Sequence, residues 1–353
     1  MTQYVLAADA LVKHFVAKRS ALGRPLSTVK AVDGVSFVLR PGETLALVGE
    51  SGCGKSTVGR LVMRLIEPTE GRIVLDGEDV TDLDERGFRP FRRKVQLIFQ
   101  DPFASLNPRM TVGQILAEPL MLHDIVPASE RRRRVADLLD MVGLQPFYAG
   151  RYPHEFSGGQ RQRIVIARAL AVEPRIVICD EPVSALDVSI RAQILNLLKE
   201  LQGRLGLAYI FISHDLSVVK HIADRIAVMY LGRIVETGPA ETIFSDPRHP
   251  YTRALLSAIP VAAPGARRER RLLEGDVPSP IDPPPGCHLH PRCPYAGDLS
   301  RVQRPTLDDD GHGHATACHF WPTIPKEPDI LPSEGATDPR LERLFGAFAG
   351  SGV

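Results

Sequence analysis

Apolar, β-branched runs of four or five residues recur along the chain and alternate with stretches whose apolar positions return every three or four residues. Residues 35–39 and 44–48 are two such runs; Pro41 and Gly42 separate them, and together they read as strand, turn, strand. Residues 58–66 carry helical spacing that stops at Pro68, and residues 73–77 add a strand ending in a turn at Gly77. Residues 95–99, 176–179 and 209–212 are further apolar runs, with a helical pattern at 190–201 between the last two. From 103 to about 171 the strand signal disappears and helical periodicity takes over, through Val135, Leu138, Leu139 and Val142, then Ile164, Ile166, Ala167 and Leu170. Strands without polar alternation are covered on both faces. Alternating with crossover helices, they predict an α/β fold with a mostly parallel sheet and a helical insertion.

Near Ala262 the composition changes to Pro264, Gly265, a basic run at 267–271, then Pro278, Pro280, Pro283, Pro284 and Pro285. This places a boundary between domains of residues 1–261 and 262–353, with a poorly ordered tip in the Pro- and Gly-rich stretch 321–353. A chain of 353 residues that is 44% hydrophobic can bury a substantial core. Its 43 Lys+Arg against 42 Asp+Glu leave a net charge of +1, so no global field recommends nucleic acid as a partner. Arg131, Arg132, Arg133 and Arg134 follow Ser129 as an N-cap and read as the solvated start of a helix. The N-terminus lacks the basic start and apolar core of a secretory signal, and no apolar run approaches the ~20 residues of a spanning helix. The expected location is the cytosol.

The chemistry concentrates in a few short motifs. Gly49, Glu50, Ser51, Gly52, Cys53, Gly54, Lys55, Ser56 and Thr57 follow a strand directly and form a phosphate loop, in which glycines allow tight turns and backbone N–H groups face an anion. Lys55 is suited to the β- and γ-phosphates, and Ser56 to a phosphate-bound Mg²⁺. About a hundred residues on, Ser157, Gly158, Gly159 and Gln160 offer a second anion-binding surface at a helix start. One chain with two phosphate-binding faces points to two chains sandwiching ATP. Asp180 ends a strand beside the phosphates, suited to Mg²⁺, and Glu181 then points at a water as general base or water-positioning group. Gln100 and His214 fall at two further strand ends, Gln100 within reach of Mg²⁺ or the attacking water and His214 of the γ-phosphate. Phe15 is a candidate for stacking on adenine, or a core aromatic.

In this order, the phosphate loop, Gln100, Ser157-Gly158-Gly159-Gln160, Asp180-Glu181, Asp187 and His214 resemble the ATP-binding subunit of ABC transporters over about residues 6–238. The resemblance implies a P-loop, RecA-like α/β fold: a mostly parallel sheet, an antiparallel β subdomain, a helical signature-motif subdomain at about 103–171, and a small Pro- and Cys-rich C-terminal extension. It also implies a head-to-tail dimer, with Asp187 contacting the opposite phosphate loop. Residues 101–109, 180–189 and 249–260 look like the oligopeptide/dipeptide importer ATPases, of the F-type. Such a translocase subunit works peripherally at the cytoplasmic face of the inner membrane with two transmembrane permease subunits. A second, D-type ATPase or another copy of the chain completes the pair, and an extracytoplasmic peptide-binding protein is an indirect partner. Nickel, glutathione or another small solute remain alternative cargoes; an exporter or non-transport ATPase fits less well, since spanning helices and a second cassette are missing from the sequence. Phe103, Leu106 and Met110 either line the groove for a membrane subunit's coupling helix or pack within the helical insertion.

Five cysteines, an odd number, make no disulfide framework. Cys53 and Cys179 are small fillers inside nucleotide motifs. Cys287, Cys293 and Cys318 resemble the tail of importer ATPases in which four cysteines hold an iron–sulfur cluster. Here Ser300 stands in one of the four places, which leaves a cluster, zinc with His288, His290 or His319, or simply reduced buried thiols.

Overall fold

The computed structural model describes residues 4–20, 25–259 and 273–325. The chain divides into two compact units: Met1–Ile234 with Pro280–Asp282, and Val235–Ser279 with Pro283–Val353. The boundary expected at 261/262 lies outside the described residues, as does most of the C-terminal tip; by contacts the units part earlier, at residues 234 and 235. A change of composition marks where loops become Pro-rich, whereas a compact unit is defined by what packs together.

The first unit opens with β1 (Leu6–Arg19) and β2 (Pro25–Leu39), continues through β3 (Thr44–Val48), α1 (Lys55–Val62), β4 (Glu70–Leu75) and β5 (Glu78–Asp79), and reaches β6 (Val95–Ile98) by way of α2 (Glu85–Lys94). A helical block follows, with α3 (Pro102–Ser105), α4 (Val112–Leu122), α5 (Arg131–Met141), two 3₁₀ turns and α6 (Gly158–Leu170). The chain then returns to strands, as β7 (Ile176–Asp180), α7 (Val188–Leu205), β8 (Ala208–Ser213), α8 (Leu216–Ile222), β9 (Arg225–Tyr230) and β10 (Arg233–Pro239). Strands β2, β1, β4 and β5 pair in that order as an antiparallel sheet. Strands β9, β3, β8, β7 and β6 pair in parallel in that order, with β8 in the middle.

All five residues of β3 and of β7, and all six of β8, are buried, as unalternating strands of a parallel sheet must be. One core joins both sheets and α1: Leu6, Leu11, Leu39 and Ile73 from the antiparallel sheet, Leu47, Ile178 and Ile212 from the parallel sheet, and Val58, Leu61 and Val62 from the helix. At Gly59 a Cβ would meet Ile178 Cγ2 and Ile212 Cδ1 at 3.2 Å each, so the missing side chain lets α1 lie directly on the sheet. Helix α5 begins one residue later than the Ser129 cap predicts: Glu130 is its N-cap, without a side-chain bond.

In the second unit α9 (Ala240–Ser245), α10 (Pro250–Ser257) and α11 (Asp298–Val302) accompany two short strands, β11 (Asp308–Asp309) and β12 (Ala315–Thr316), of which β12 pairs with β10. Its buried centre is polar. Glu236 is 0% exposed and accepts from the backbone N–H groups of Arg248 at 2.7 Å and His249 at 3.0 Å; His314 Nε2 lies 2.8 Å from it. A buried carboxylate is tolerable only with such donors around it. His249 caps α10, its Nδ1 accepting from Tyr251 N–H at 3.2 Å, and burial pushes its pKa down to about 4 against the pull of Glu236. Between about pH 6.5 and 4 the unfolded chain therefore binds a proton that the folded chain refuses, and stability is lost as pH falls. The expected loss from this group by pH 4.5 is about 2.5 kcal/mol. Thermal melts of the chain at pH 7 and 4.5 check it: His249→Asn, which keeps a capping acceptor, should show that much less acid destabilisation than the parent.

Candidate functional site

The C-terminal ends of parallel strands deliver the expected residues to one edge. β3 runs into the phosphate loop, β6 into Gln100, β7 into Asp180 and Glu181, and β8 into His214. A cavity of about 500 Å³ opens there, lined by Ser51, Gly52, Gly54, Lys55, Ser56 and Thr57, with Gln100, Glu181 and His214 opposite. The loop's glycines are forced. Gly49 and Gly54 have φ of +150° and +107°, and a Cβ would strike Met229 O at 2.2 Å and Ala31 O at 2.1 Å respectively. Gly54 caps α1 without a side-chain bond, which leaves the first-turn N–H groups facing the cavity for an anion.

Lys55 is buried, and its Nζ donates to the carbonyls of Gly49 at 2.8 Å and Glu50 at 2.9 Å. The ammonium is thus held by loop carbonyls, which a phosphate can replace. Ser56 Oγ donates to Asp180 Oδ1 at 2.8 Å. Burial pushes the Asp180 carboxyl up, a tendency that the Ser56 hydrogen bond opposes and neighbouring Glu181 reinforces. A hydroxyl and a carboxylate so placed form an oxygen donor set for a hard cation, and the adjoining cavity has room for a phosphate chain, so the residues present fit ATP with Mg²⁺.

Glu181 is the centre of the arrangement. Its Oε2 accepts from Gln100 Nε2 at 2.8 Å and its Oε1 lies 3.0 Å from His214 Nδ1. An ionised carboxylate only accepts, so Nδ1 carries the proton in this contact. The backbone of Glu181 is left-handed, with φ of +48°, a conformation that costs a non-glycine residue about 1–3 kcal/mol. Its N–H donates to Ile212 O at 3.0 Å, which ties the strained residue to β8.

The other expected residues sit elsewhere. Ser157, Gly158, Gly159 and Gln160 form the N-terminus of α6, closed by a reciprocal pair of bonds in which Gln160 N–H donates to Ser157 Oγ at 3.4 Å and Ser157 N–H to Gln160 Oε1 at 3.1 Å. They do not line the cavity of their own chain. Asp187 is the exposed N-cap of α7, with no side-chain bond to the helix. Phe15 is half-exposed on β1, paired in register with Val29; the cavity wall there is Val29 and Ala31 of β2, which the sequence reading missed because residues 25–34 mix polar and apolar types without a clear period. Leu106 is buried and Phe103 is exposed, the latter beneath the Arg161 guanidinium at 3.9 Å.

Residues 32–184 match the family model for ABC transporters, and residues 235–298 match that for the oligopeptide/dipeptide transporter C-terminal region. The chain is 53% identical over 320 residues to the oligopeptide transport ATP-binding protein AppF of Bacillus subtilis, covering 90% of this chain and 97% of that protein. It is 53% identical over 314 residues to the dipeptide transport ATP-binding protein DppF of Haemophilus influenzae, covering 89% and 96%. Two dimeric structures of the ATP-binding cassette MJ0796, one a post-hydrolysis state bound to ADP and Pi, superpose with a TM-score of 0.59 at 30% identity over 67% of this chain and 98% of theirs. The chain belongs to the ABC transporter family, as an ATP-binding subunit.

In the second unit Cys287, Cys293 and Cys318 do converge with Ser300 on one cavity, of about 20 Å³. That is room for about one water molecule. Burial pushes all three thiols up, Cys293 to about 11. Ser300 Oγ is committed within its turn, donating to Gly297 O at 2.7 Å and accepting from Gly297 N–H at 3.2 Å. His290 Nδ1 lies 2.9 Å from Cys287 O, and His319 Nε2 lies 3.0 Å from Gln303 O. Among the described residues no group of three or more ligating side chains is placed to hold a metal ion. The residues do not fit a four-ligand iron–sulfur cluster. Protein isolated without oxygen should carry no stoichiometric iron or acid-labile sulfide by elemental and sulfide analysis, and Ser300→Cys is the variant that would have to be made before it did.

Proposed function

We propose that this ATPase energises import of oligopeptides or dipeptides through a membrane transporter. Supporting the cargo class are the C-terminal family match and the names of relatives covered nearly end to end. Supporting the chemistry is one observation above others: a carboxylate, Glu181, held at both oxygens by Gln100 and His214 across the cavity from Lys55 and Ser56.

On this reading Gly49, Glu50, Ser51, Gly52, Cys53, Gly54 and Thr57 cradle the phosphates, and Lys55 leaves its loop carbonyls for the β- and γ-phosphates. Phe15 flanks the adenine beside Val29. Ser56, Asp180 and Gln100 hold Mg²⁺, which supplies charge neutralisation for the transferring phosphoryl group. Glu181 takes the proton of the attacking water, and Gln100 and His214 fix the direction in which its lone pairs point. His214 contacts the γ-phosphate through its other nitrogen. Two nucleotide units close head to tail, each presenting Ser157, Gly158, Gly159 and Gln160 to the ATP of the other, with Asp187 touching the opposite loop. The second unit of the pair is a D-type ATPase or another copy, and the pair sits peripherally on two permease subunits at the cytoplasmic face of the membrane. Among the described residues no helix is long and apolar enough to cross a membrane itself.

Glu181→Gln keeps both hydrogen-bonding partners in reach but removes the base. ATP binding should persist by nucleotide fluorescence, while turnover falls roughly 10²–10⁴-fold; normal hydrolysis would reassign the base. Import is tested separately. Purification from native membranes should recover two multi-span permeases, a second ATPase-sized chain and a peptide-binding protein by mass spectrometry, and recovery of ribosomes or DNA in their place would refute the importer while leaving the ATPase intact.

A further inference from the structure

Val29 and Ala31 form the part of the nucleotide cavity's wall that comes from β2. In the order β2-β1-β4-β5 this strand is an edge, with one side paired to no other strand. The outward N–H groups of an edge strand are ordinarily left to water. Lys30, between those two wall residues, instead donates its N–H to the carbonyl of Pro280 at 3.0 Å. Residues Pro280–Asp282 pack with the first unit, although the chain on both sides of them belongs to the second. Pro280 has no N–H with which to return the bond, so the contact caps the edge without lengthening the sheet. The carbonyl side of β2 is equally tight: a Cβ at Gly232 would come within 2.8 Å of Lys30 O, and one at Gly54 of the phosphate loop within 2.1 Å of Ala31 O. A shift of Lys30 is therefore passed by close-packed backbone to the loop that faces the phosphates.

Beyond Asp282 the chain runs through Pro283, Pro284 and Pro285 to a second anchor. Gly286 has a φ of +63°, and a Cβ there would lie 2.5 Å from Ser300 O. Cys287 N–H donates to that same carbonyl at 2.8 Å. Cys287 and Ser300 both line the small cysteine-bearing cavity. Consecutive prolines make a semi-rigid spacer, so three of them between two anchors pass a displacement on instead of absorbing it in bond rotations.

We propose that residues 280–287 are a strap through which the C-terminal region sets the fit of the nucleotide cavity. The proposal rests on the ATPase reading above and adds a regulatory contact to it, with no part in the chemistry. With the strap seated on Lys30, Val29 and Ala31 are fixed in place before a nucleotide arrives. With the strap lifted, the edge strand gains freedom that binding then has to remove, and the nucleotide is held less tightly. By linkage the effect runs both ways: bound nucleotide favours the seated strap and steadies Cys287 at its far end.

Two variants of the full chain slacken the strap while leaving both anchors in place. One combines Pro283→Gly, Pro284→Gly and Pro285→Gly; the other inserts Gly-Gly between Asp282 and Pro283, and serves if the first fails to fold. The dissociation constant for ATP, by nucleotide fluorescence, should rise about fivefold or more, the lower end of ordinary coupling between sites. Turnover at saturating ATP, measured with the membrane subunits, should not fall. In the parent, alkylation of Cys287 by N-ethylmaleimide, followed by peptide mass spectrometry, should slow about fivefold or more when ADP is bound, and the slowing should vanish in the variants. Parent affinity in the slackened chain would overturn the strap, as would labelling of parent Cys287 that is indifferent to ADP. A fall in turnover at unchanged affinity would also overturn it, since the segment would then act in the chemistry. A parent chain that binds no nucleotide would instead sink the ATPase reading.

Discussion

The rest of the nucleotide site depends on how little room the phosphate loop has. Gly49 is pressed against Met229 O and Gly54 against Ala31 O, at distances where no Cβ fits. Met229 lies on β9, the neighbour of β3, and Ala31 on β2 of the antiparallel sheet, so the loop is clamped between the two sheets at the point where it must present bare N–H groups. Cys53 N–H donates to Glu50 O and Gly232 N–H to Cys53 O, which closes the clamp with backbone bonds. A loop fixed in this way does not reorganise when an anion arrives, and preorganised dipoles are worth more than dipoles that must be turned.

Parallel pairing then does for the side chains what the clamp does for the loop. Because β6, β7, β8 and β3 run the same way, their C-terminal ends fall on one edge, and four segments far apart in sequence bring Gln100, Glu181, His214 and Lys55 to one cavity, with Asp180 joined to it through Ser56. The register shows it: Val48 stands opposite Ser213 and Ile98 opposite Cys179. Strand direction alone would still leave Asp180 and Glu181 on opposite faces. The left-handed backbone of Glu181 turns the second carboxylate toward Gln100 and His214 while Asp180 stays with Ser56. The strain is retained because Ile212 O and the two side-chain partners over-determine the position.

These same features explain what could be read in the sequence. Strands β3, β7 and β8 lay in unbroken apolar runs, and the motifs at their ends were legible because spacing and strand order coincide in a parallel sheet. β1 and the first part of β2 were not legible. Their pairing is broken by repeated register shifts, between Ala8 and Leu11, Lys13 and His14, and Val16 and Lys18, so no alternation of period two survives for a reader to find. Val29 and Ala31 were lost with them, and Phe15 was singled out where Val29 forms the wall. In the second unit the convergence of three cysteines with Ser300 was visible from the family pattern, but the commitment of the Ser300 hydroxyl to Gly297 was not, since it depends on the N-terminus of the five-residue helix α11, which sequence does not announce.

The signature residues add the last constraint. In the free chain, Ser157 and Gln160 satisfy one another's backbone N–H groups at 3.1 and 3.4 Å on an exposed helix end. A capping interaction of this kind is worth about 0.5–2 kcal/mol, and these bonds are at the long end of the range. On the proposed reading a partner's γ-phosphate replaces them with charge-assisted bonds to the same groups, which are roughly twice as strong as neutral ones. The capping pair thus occupies two of the N–H groups at this helix end and leaves those of Gly158 and Gly159 outside it, so the end can accept an anion through the glycines and exchange its internal bonds at small cost when a triphosphate is presented. On that reading association through these faces is tied to nucleotide, and loss of the γ-phosphate returns Ser157 and Gln160 to bonds made within their own chain.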